Sequence, residues 1–182
     1  EQTPLIAAEA VRLLWQAGVP HAALQLLPGR GETIGAALVG DARVQGVMFT
    51  GSTEVARLLQ KTLSQRLGAD GRSVPLIAET GGQNAMIVDS SALVEQVVVD
   101  VVASAFDSAG QRCSALRVLC VQEEVADRVI GMLKGAMAES RIGNPATLAV
   151  DIGPVIDAEA RSGIERHVAA MEARGRKVFR AA

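Results

Sequence analysis

Cys113 sits in the polar stretch Ser108-Ala109-Gly110-Gln111-Arg112-Cys113-Ser114, between an apolar helical pattern and an apolar extended run. Loops on a rigid scaffold are where nucleophiles are held, and a neighbouring cation such as Arg112 favours the thiolate, the reactive form. A buried, inert thiol is the other common fate of cysteine, and Cys120, in the apolar run Leu116 to Val121, fits that description. If the chain between the two is extended, their odd separation puts them on opposite faces and disfavours a bridge. Glu79 ends an apolar strand pattern directly before Thr80-Gly81-Gly82. A carboxylate at a strand's carboxyl end beside a glycine pair is well placed to face a cleft, although an ordinary exposed loop carboxylate is the commoner case for a single Glu. Phe49-Thr50-Gly51-Ser52-Thr53-Glu54 closes one strand pattern and opens a helical one. The N–H groups of a first helical turn, a glycine that permits close approach and a serine hydroxyl together suit a pyrophosphate. The simpler alternative is that Ser52 or Thr53 is only a helix N-cap.

Other residues carry weaker signals. Gly29-Arg30-Gly31-Glu32-Thr33-Ile34-Gly35 is one residue too long for the dinucleotide fingerprint G-x-G-x-x-G, so a plain turn opening a helix explains it better than phosphate contact does. His21 and His167 have no Asp or Ser at a suggestive spacing. Arg161, Arg166, Arg174, Arg176, Lys177 and Arg180 are interleaved with Glu159, Glu165 and Glu172, which reads as a solvated face. Two cysteines and two scattered histidines give neither a disulfide framework nor a zinc pattern, so no metal is expected.

These residues need a scaffold, and the 182-residue chain can supply one. Its 49% hydrophobic content against 21% charged residues provides a sizeable core. A net charge of −2 and only 2% aromatic residues argue against a basic footprint or a stacking platform for nucleic acid. No apolar run approaches the roughly 20 residues that span a bilayer, and no signal peptide is visible, so a cytoplasmic location is expected. The first residue is Glu1 and not Met, which suggests a piece of a longer protein.

Thr3-Pro4 predicts the start of a helix that runs to Gly18. Ala23 to Leu27 predicts a short strand, Gly31 to Val39 a short helix, Val44 to Phe49 a strand, and Ser52 to Gly68 a helix and its stop. Val74 to Ala78 is a third strand and Ala85 to Val88 a fourth, with Ser90 or Ser91 capping a helix that holds Val94, Val97, Val98, Val101 and Val102. That helix is apolar around most of its circumference and is expected to be covered on several sides. A strand at Arg117 to Val121, helices at Val125 to Glu139 and Ala158 to Ala173, and a last strand at Lys177 to Arg180 complete the reading. Alternating strands and helices predict an α/β fold with parallel sheets and flanking helices. The Gly81-Gly82 step is the best boundary, dividing residues 1–80 from 81–182.

Taken together, the motifs resemble the NAD(P)-dependent aldehyde dehydrogenase superfamily. Phe49-Thr50-Gly51-Ser52 resembles its cofactor turn, Glu79-Thr80-Gly81-Gly82 its general-base motif and Gly110-Gln111-Arg112-Cys113 its nucleophile loop, in order and at the family's usual spacing. Pro28-Gly29-Arg30-Gly31 falls where the family has a loop near the cofactor's adenosine, and Glu1-Gln2-Thr3-Pro4-Leu5 resembles the tail of a family segment. Thr80, where most relatives have Leu, and the run Ala105 to Arg117 look like the L-glutamate γ-semialdehyde (1-pyrroline-5-carboxylate) dehydrogenase domain of bacterial bifunctional proline-utilization proteins.

The resemblance implies parts of two domains, an NAD-binding part in residues 1–80 and a nucleophile-bearing catalytic part in 81–182. It implies Cys113 as nucleophile and Glu79 as the base that activates water. Glu1, Gly29, Gly51, Ser52, Thr80 and Gly81 would bind NAD, with the Glu1 carboxylate on the ribose disfavouring a 2′-phosphate. Ser114 would bind the substrate's carboxylate. FAD is implied only for the separate proline dehydrogenase domain of such proteins, and a homo-oligomer for the parent. A lysine before Glu1, an upstream asparagine and a downstream glutamate of the family's site are not among these residues. Turnover by the isolated chain is therefore not expected. Two other readings stand beside this one: an aldehyde dehydrogenase of different specificity, and a non-catalytic nucleotide-binding piece.

Overall fold

The computed structural model describes residues 2–181. The chain divides into two compact units, Glu1–Thr80 and Gly81–Ala182.

In the first unit, helix α1 spans Pro4–Gln16, with proline in its first turn as the sequence predicts. Thr3 precedes it but makes no side-chain capping bond. Proline alone begins this helix, because its fixed φ suits the first turn and its missing N–H would be unpaired there. The ring of Trp15 stacks on His21 with centroids 4.1 Å apart, and its indole N–H donates to the Leu24 carbonyl at 3.0 Å. Residues 23–27, expected as a strand, form none. An indole occupies the Leu24 carbonyl there, and no strand of the described residues pairs with the segment.

One π-helical turn, Gly31–Gly35, leads into the short helix α2, Ala36–Gly40. Strand β1 (Val47–Gly51), helix α3 (Thr53–Leu63) and strand β2 (Leu76–Thr80) then form one β–α–β unit. The strands are parallel, a pairing that requires such a crossover. Val39, Leu63 and Val74 are its buried core, with Val47, Leu59 and Leu76 packed around them. Arg66 braces the entry to β1, donating through Nε to the Val39 carbonyl at 3.1 Å and through Nη2 to the Val44 carbonyl at 2.9 Å.

A second β–α–β arrangement opens the other unit: strand β3 (Asn84–Val88), helix α4 (Val94–Phe106) and strand β4 (Leu116–Val121), again parallel. Neither Ser90 nor Ser91 caps α4; Asp89 instead accepts from the Ser91 N–H at 2.8 Å and its hydroxyl at 2.6 Å, turning the chain before the helix. Helix α4 buries Val94, Val97, Val98 and Val101 but leaves Val99 61% exposed. Among the described residues it is therefore covered along one stripe, facing the sheet and the following helix, and not on several sides. That helix, α5 (Glu123–Glu139), carries Val129, which is wholly inaccessible and locks into the Val88, Val97 and Leu116 cluster. Helix α6 spans Ala158–Ala173, and its N-cap Asp157 accepts from the Ala160 N–H at 2.8 Å. Residues 177–180, expected as a strand, form none.

The sheet of the second unit packs α4 and α5 on one face. On the other, Ile87 and its register partner Cys120 are both exposed, Ile87 at 84%. Cys120 is therefore not the shielded core thiol that its apolar neighbours suggest. Among the described residues no helix is long and apolar enough to cross a membrane.

Candidate active site

The first unit gathers four of the candidate residues at one sheet edge. Because β1 and β2 are parallel, both carboxyl ends fall on the same side. The register aligns Thr50 with Glu79 and Gly51 with Thr80. The cofactor-type turn and the proposed base are thus adjacent through backbone pairing alone. Glu79 is exposed and Thr80 half-buried, and Gly81 leads the chain into the next unit.

The turn itself is built from local chemistry. Ser52 is the N-cap of α3, its oxygen accepting from the Val55 N–H at 3.2 Å. Its hydroxyl is also hydrogen-bonded to the Glu54 carboxylate. That carboxyl is held below its ordinary range by its own backbone N–H first, then by Ser52, with Arg57 adding a smaller attraction. Capping and anion binding are therefore not exclusive alternatives here. A Cβ at Gly51 would meet the far end of the Phe49 ring, which would have to swing aside. Gly29 is similarly confined by the Ile34 side chain. Glu1 lies outside the described residues.

A cavity of about 760 Å³ opens in the same unit, lined among others by Gly31, Gly35, Phe49, Val55, Leu58 and Thr62. Its walls are the π-helical turn, β1 and the apolar stripe of α3. A half-open apolar slot of this size has room for a flat aromatic ring, with Val55 and Leu58 in its lining. Sequence reading passed over this lining, because Val55, Leu58 and Leu59 look like ordinary core positions of an amphipathic helix.

Cys113 and Ser114 belong to the second unit, in the loop that feeds β4. Both are exposed. The loop begins with a tight turn, Asp107–Gly110, in which Ser108, Ala109 and Gly110 all have left-handed φ values of 55°, 54° and 68°. Left-handed backbone costs a non-glycine residue about 1–2 kcal/mol, so the surroundings must hold it. They do so with side chains. Arg117 Nη2 donates to the Gly110 carbonyl at 2.6 Å. Gln111 Nε2 donates to the Ser108 carbonyl at 2.9 Å, and its Oε1 accepts from the Ile156 N–H at 2.7 Å. Arg112 Nη2 donates to the Ala103 carbonyl at 2.9 Å, closing the last turn of α4. The guanidinium expected to favour the Cys113 thiolate is thus engaged with helix carbonyls. Ser114 lines an open depression of about 450 Å³ together with Asp100, Asp107 and Arg112. Among the described residues, no three His, Cys, Asp or Glu side chains cluster as a metal site would require.

Residues 1–181 match the Aldehyde dehydrogenase family, and the chain belongs to it. Parallel sheets with flanking helices are the fold it shares with solved members. It is 71% identical, over its whole length, to the bifunctional protein PutA of Klebsiella aerogenes, of which it spans 14%. A crystal structure of a mutant proline utilization A (PutA) from Bradyrhizobium japonicum superposes with a TM-score of 0.89 at 58% identity, covering 95% of this chain and 17% of that one. The NAD-bound 1-pyrroline-5-carboxylate dehydrogenase from Thermus gives a TM-score of 0.82 at 31% identity, over 91% of this chain and 32% of that one.

Proposed function

We propose that the chain is part of an NAD-dependent dehydrogenase that oxidises L-glutamate γ-semialdehyde to L-glutamate in proline catabolism. The observation that carries this reading is the β1–β2 register, which aligns the Gly51-Ser52 turn with Glu79 and Thr80 at one sheet edge. Kinship with PutA and with a 1-pyrroline-5-carboxylate dehydrogenase supports the choice of substrate.

Residues 1–80 serve as the NAD-binding part and 81–182 as the catalytic part. Gly51, Ser52, Thr80 and Gly81 hold the pyrophosphate side of NAD; Gly29 and Glu1 hold the adenosine side. When bound, NAD accepts the hydride. The Cys113 thiolate attacks the aldehyde carbon, forming a C–S bond and leaving an oxyanion for which the Cys113 backbone N–H is a donor. After hydride loss the carbon is a thioester. Glu79 takes a proton from water, the hydroxide adds, and the C–S bond breaks to release the acid and the thiolate. Ser114 donates to the substrate's distal carboxylate and so selects glutamate semialdehyde over neutral aldehydes. FAD belongs to a separate proline dehydrogenase domain of the longer protein, which works in the cytoplasm as a homo-oligomer.

The test is NADH production by the full-length protein with L-glutamate γ-semialdehyde and with a panel of uncharged aliphatic aldehydes. Preference for the semialdehyde, abolished by Cys113→Ala, is expected; preference for the neutral aldehydes would overturn the substrate. Glu79→Gln is expected to leave a burst of NADH followed by slow turnover, since only the hydrolytic half needs the base. The isolated 182-residue chain is expected to bind NAD in a calorimetric titration without useful turnover. Loss of one oxyanion donor alone costs about 10²–10³ in rate.

A further inference from the structure

Asn84 follows the Glu79-Thr80-Gly81-Gly82 motif and has no part in the chemistry above. It opens β3, half-buried, at the point where the β3–β4 register slips between Asn84 and Ala85. Its amide Nδ2 donates to two carbonyls, that of Cys113 at 2.7 Å and that of Ala115 at 2.9 Å. An amide nitrogen carries two hydrogens, so a single side chain satisfies both acceptors. The irregularity in the ladder is thereby filled by a side chain that grips the nucleophile's own peptide.

The preceding peptide is held as well. The Arg112 carbonyl accepts from the Ala115 N–H at 3.2 Å and from Arg117 Nη2 at 3.4 Å. A trans peptide is planar, so fixing a carbonyl fixes the N–H across from it. The Arg112 carbonyl sets the direction of the Cys113 N–H, and the Cys113 carbonyl sets that of the Ser114 N–H. With both planes held, the φ and ψ of Cys113 are fixed, and with them its Cα–Cβ bond. Only rotation about χ1 is left to the thiol.

We propose that Asn84 is a positioning residue for Cys113, orienting the Cys113–Ser114 peptide and through it the thiol and the Ser114 N–H. The inference rests on Cys113 as the nucleophile. Two readouts separate its failure from failure of that reading. In the full-length protein, Asn84→Ala is expected to lower kcat by about tenfold or more while KM for the semialdehyde stays within about threefold, with Asn84→Ser, which keeps one donor, in between. In the 182-residue chain, the ratio of Cys113 to Cys120 alkylation by iodoacetamide, read by peptide mass mapping, is expected to move in Asn84→Ala from its native value toward its value in urea. This ratio reads the loop whether or not Cys113 does the chemistry; turnover surviving in Cys113→Ala would overturn the nucleophile alone. A residue that only fills the bulge would lower the melting temperature of Asn84→Ala yet leave kcat and the native alkylation ratio at wild-type values, which overturns the proposal. So would a wild-type ratio equal to that in urea. If Asn84→Ala fails to fold, Asn84→Ser decides: a fall in kcat at constant KM supports the proposal, and wild-type kcat refutes it.

Discussion

Both units are built from two parallel strands joined through a helix, yet their functional loops are made in opposite ways. The turn after β1 is local. Ser52 caps the helix three residues ahead, Gly51 clears the Phe49 ring, and no residue of the turn has a left-handed φ. The loop before β4 has three consecutive left-handed residues; side chains from β3 and β4 hold it, and its own Gln111 accepts from the Ile156 backbone N–H in the segment after α5. A binding turn can rely on backbone donors at a helix end, whatever their exact setting. A nucleophile, as proposed for Cys113, needs one direction, which the strain and bracing of the second unit's loop would fix.

The largest expected effect tests the strained side of this contrast. Gly110→Ala places a Cβ 2.7 Å from the Ala105 carbonyl at a φ of 68°. It is expected to cost about 2–4 kcal/mol in urea unfolding followed by circular dichroism. A loss below 1 kcal/mol would mean that the loop relaxes freely, and the contrast between the turns would dissolve. Gly51→Ala tests the local side. A Cβ there meets the far end of the Phe49 ring, which can swing aside, so a stability cost of only about 1 kcal/mol is expected. NAD affinity should weaken more clearly, by about tenfold in calorimetry, a loss of about 1.4 kcal/mol. Unchanged affinity would remove Gly51 from the cofactor turn.

Ala109→Gly sharpens the comparison in the opposite direction. Relief of left-handed strain is about 1–2 kcal/mol and the added entropy of unfolded glycine about 0.5–1 kcal/mol. A net gain of about 0.5–1 kcal/mol is expected, and a measurable loss would mean the strain is not stored there. The smallest effect belongs to Glu54. Its carboxyl is depressed in the folded chain, so it stabilises above its unfolded pKa, and that contribution is lost as pH falls through the folded value. Glu54→Gln should melt slightly below wild type at neutral pH and together with it in acid. A gap that persists in acid would assign the effect to packing.

The same contrast explains what could be read from sequence. Helix α3 was legible because its signals lie within a few residues: Ser52 caps it, and Val55, Leu58, Leu59 and Leu63 recur at helical spacing. The motifs around Gly51, Glu79 and Cys113 were legible for the same reason. Their clustering was only half legible, since the strand register that aligns Gly51 with Thr80 depends on pairing across α3. Asn84 was not legible at all. Its partners lie some thirty residues ahead and are backbone carbonyls, which carry no side-chain signature. The expected strand at 23–27 failed because apolar content does not create a pairing partner. Cys120 was misjudged because alternation shows that a strand has two faces, not which of them a helix will cover.

Trp15 carries a consequence for spectroscopy. It is the one tryptophan in a chain without tyrosine, and it lies in the first unit, stacked on His21. Light absorbed near 295 nm therefore enters the molecule through that unit alone. An emission-monitored unfolding curve is blind to the nucleophile loop, whereas circular dichroism weights the second unit through α4, α5 and α6. If the two curves coincide, the units melt as one cooperative body. If they separate, the optical midpoint dates the loss of the cofactor-turn unit on its own.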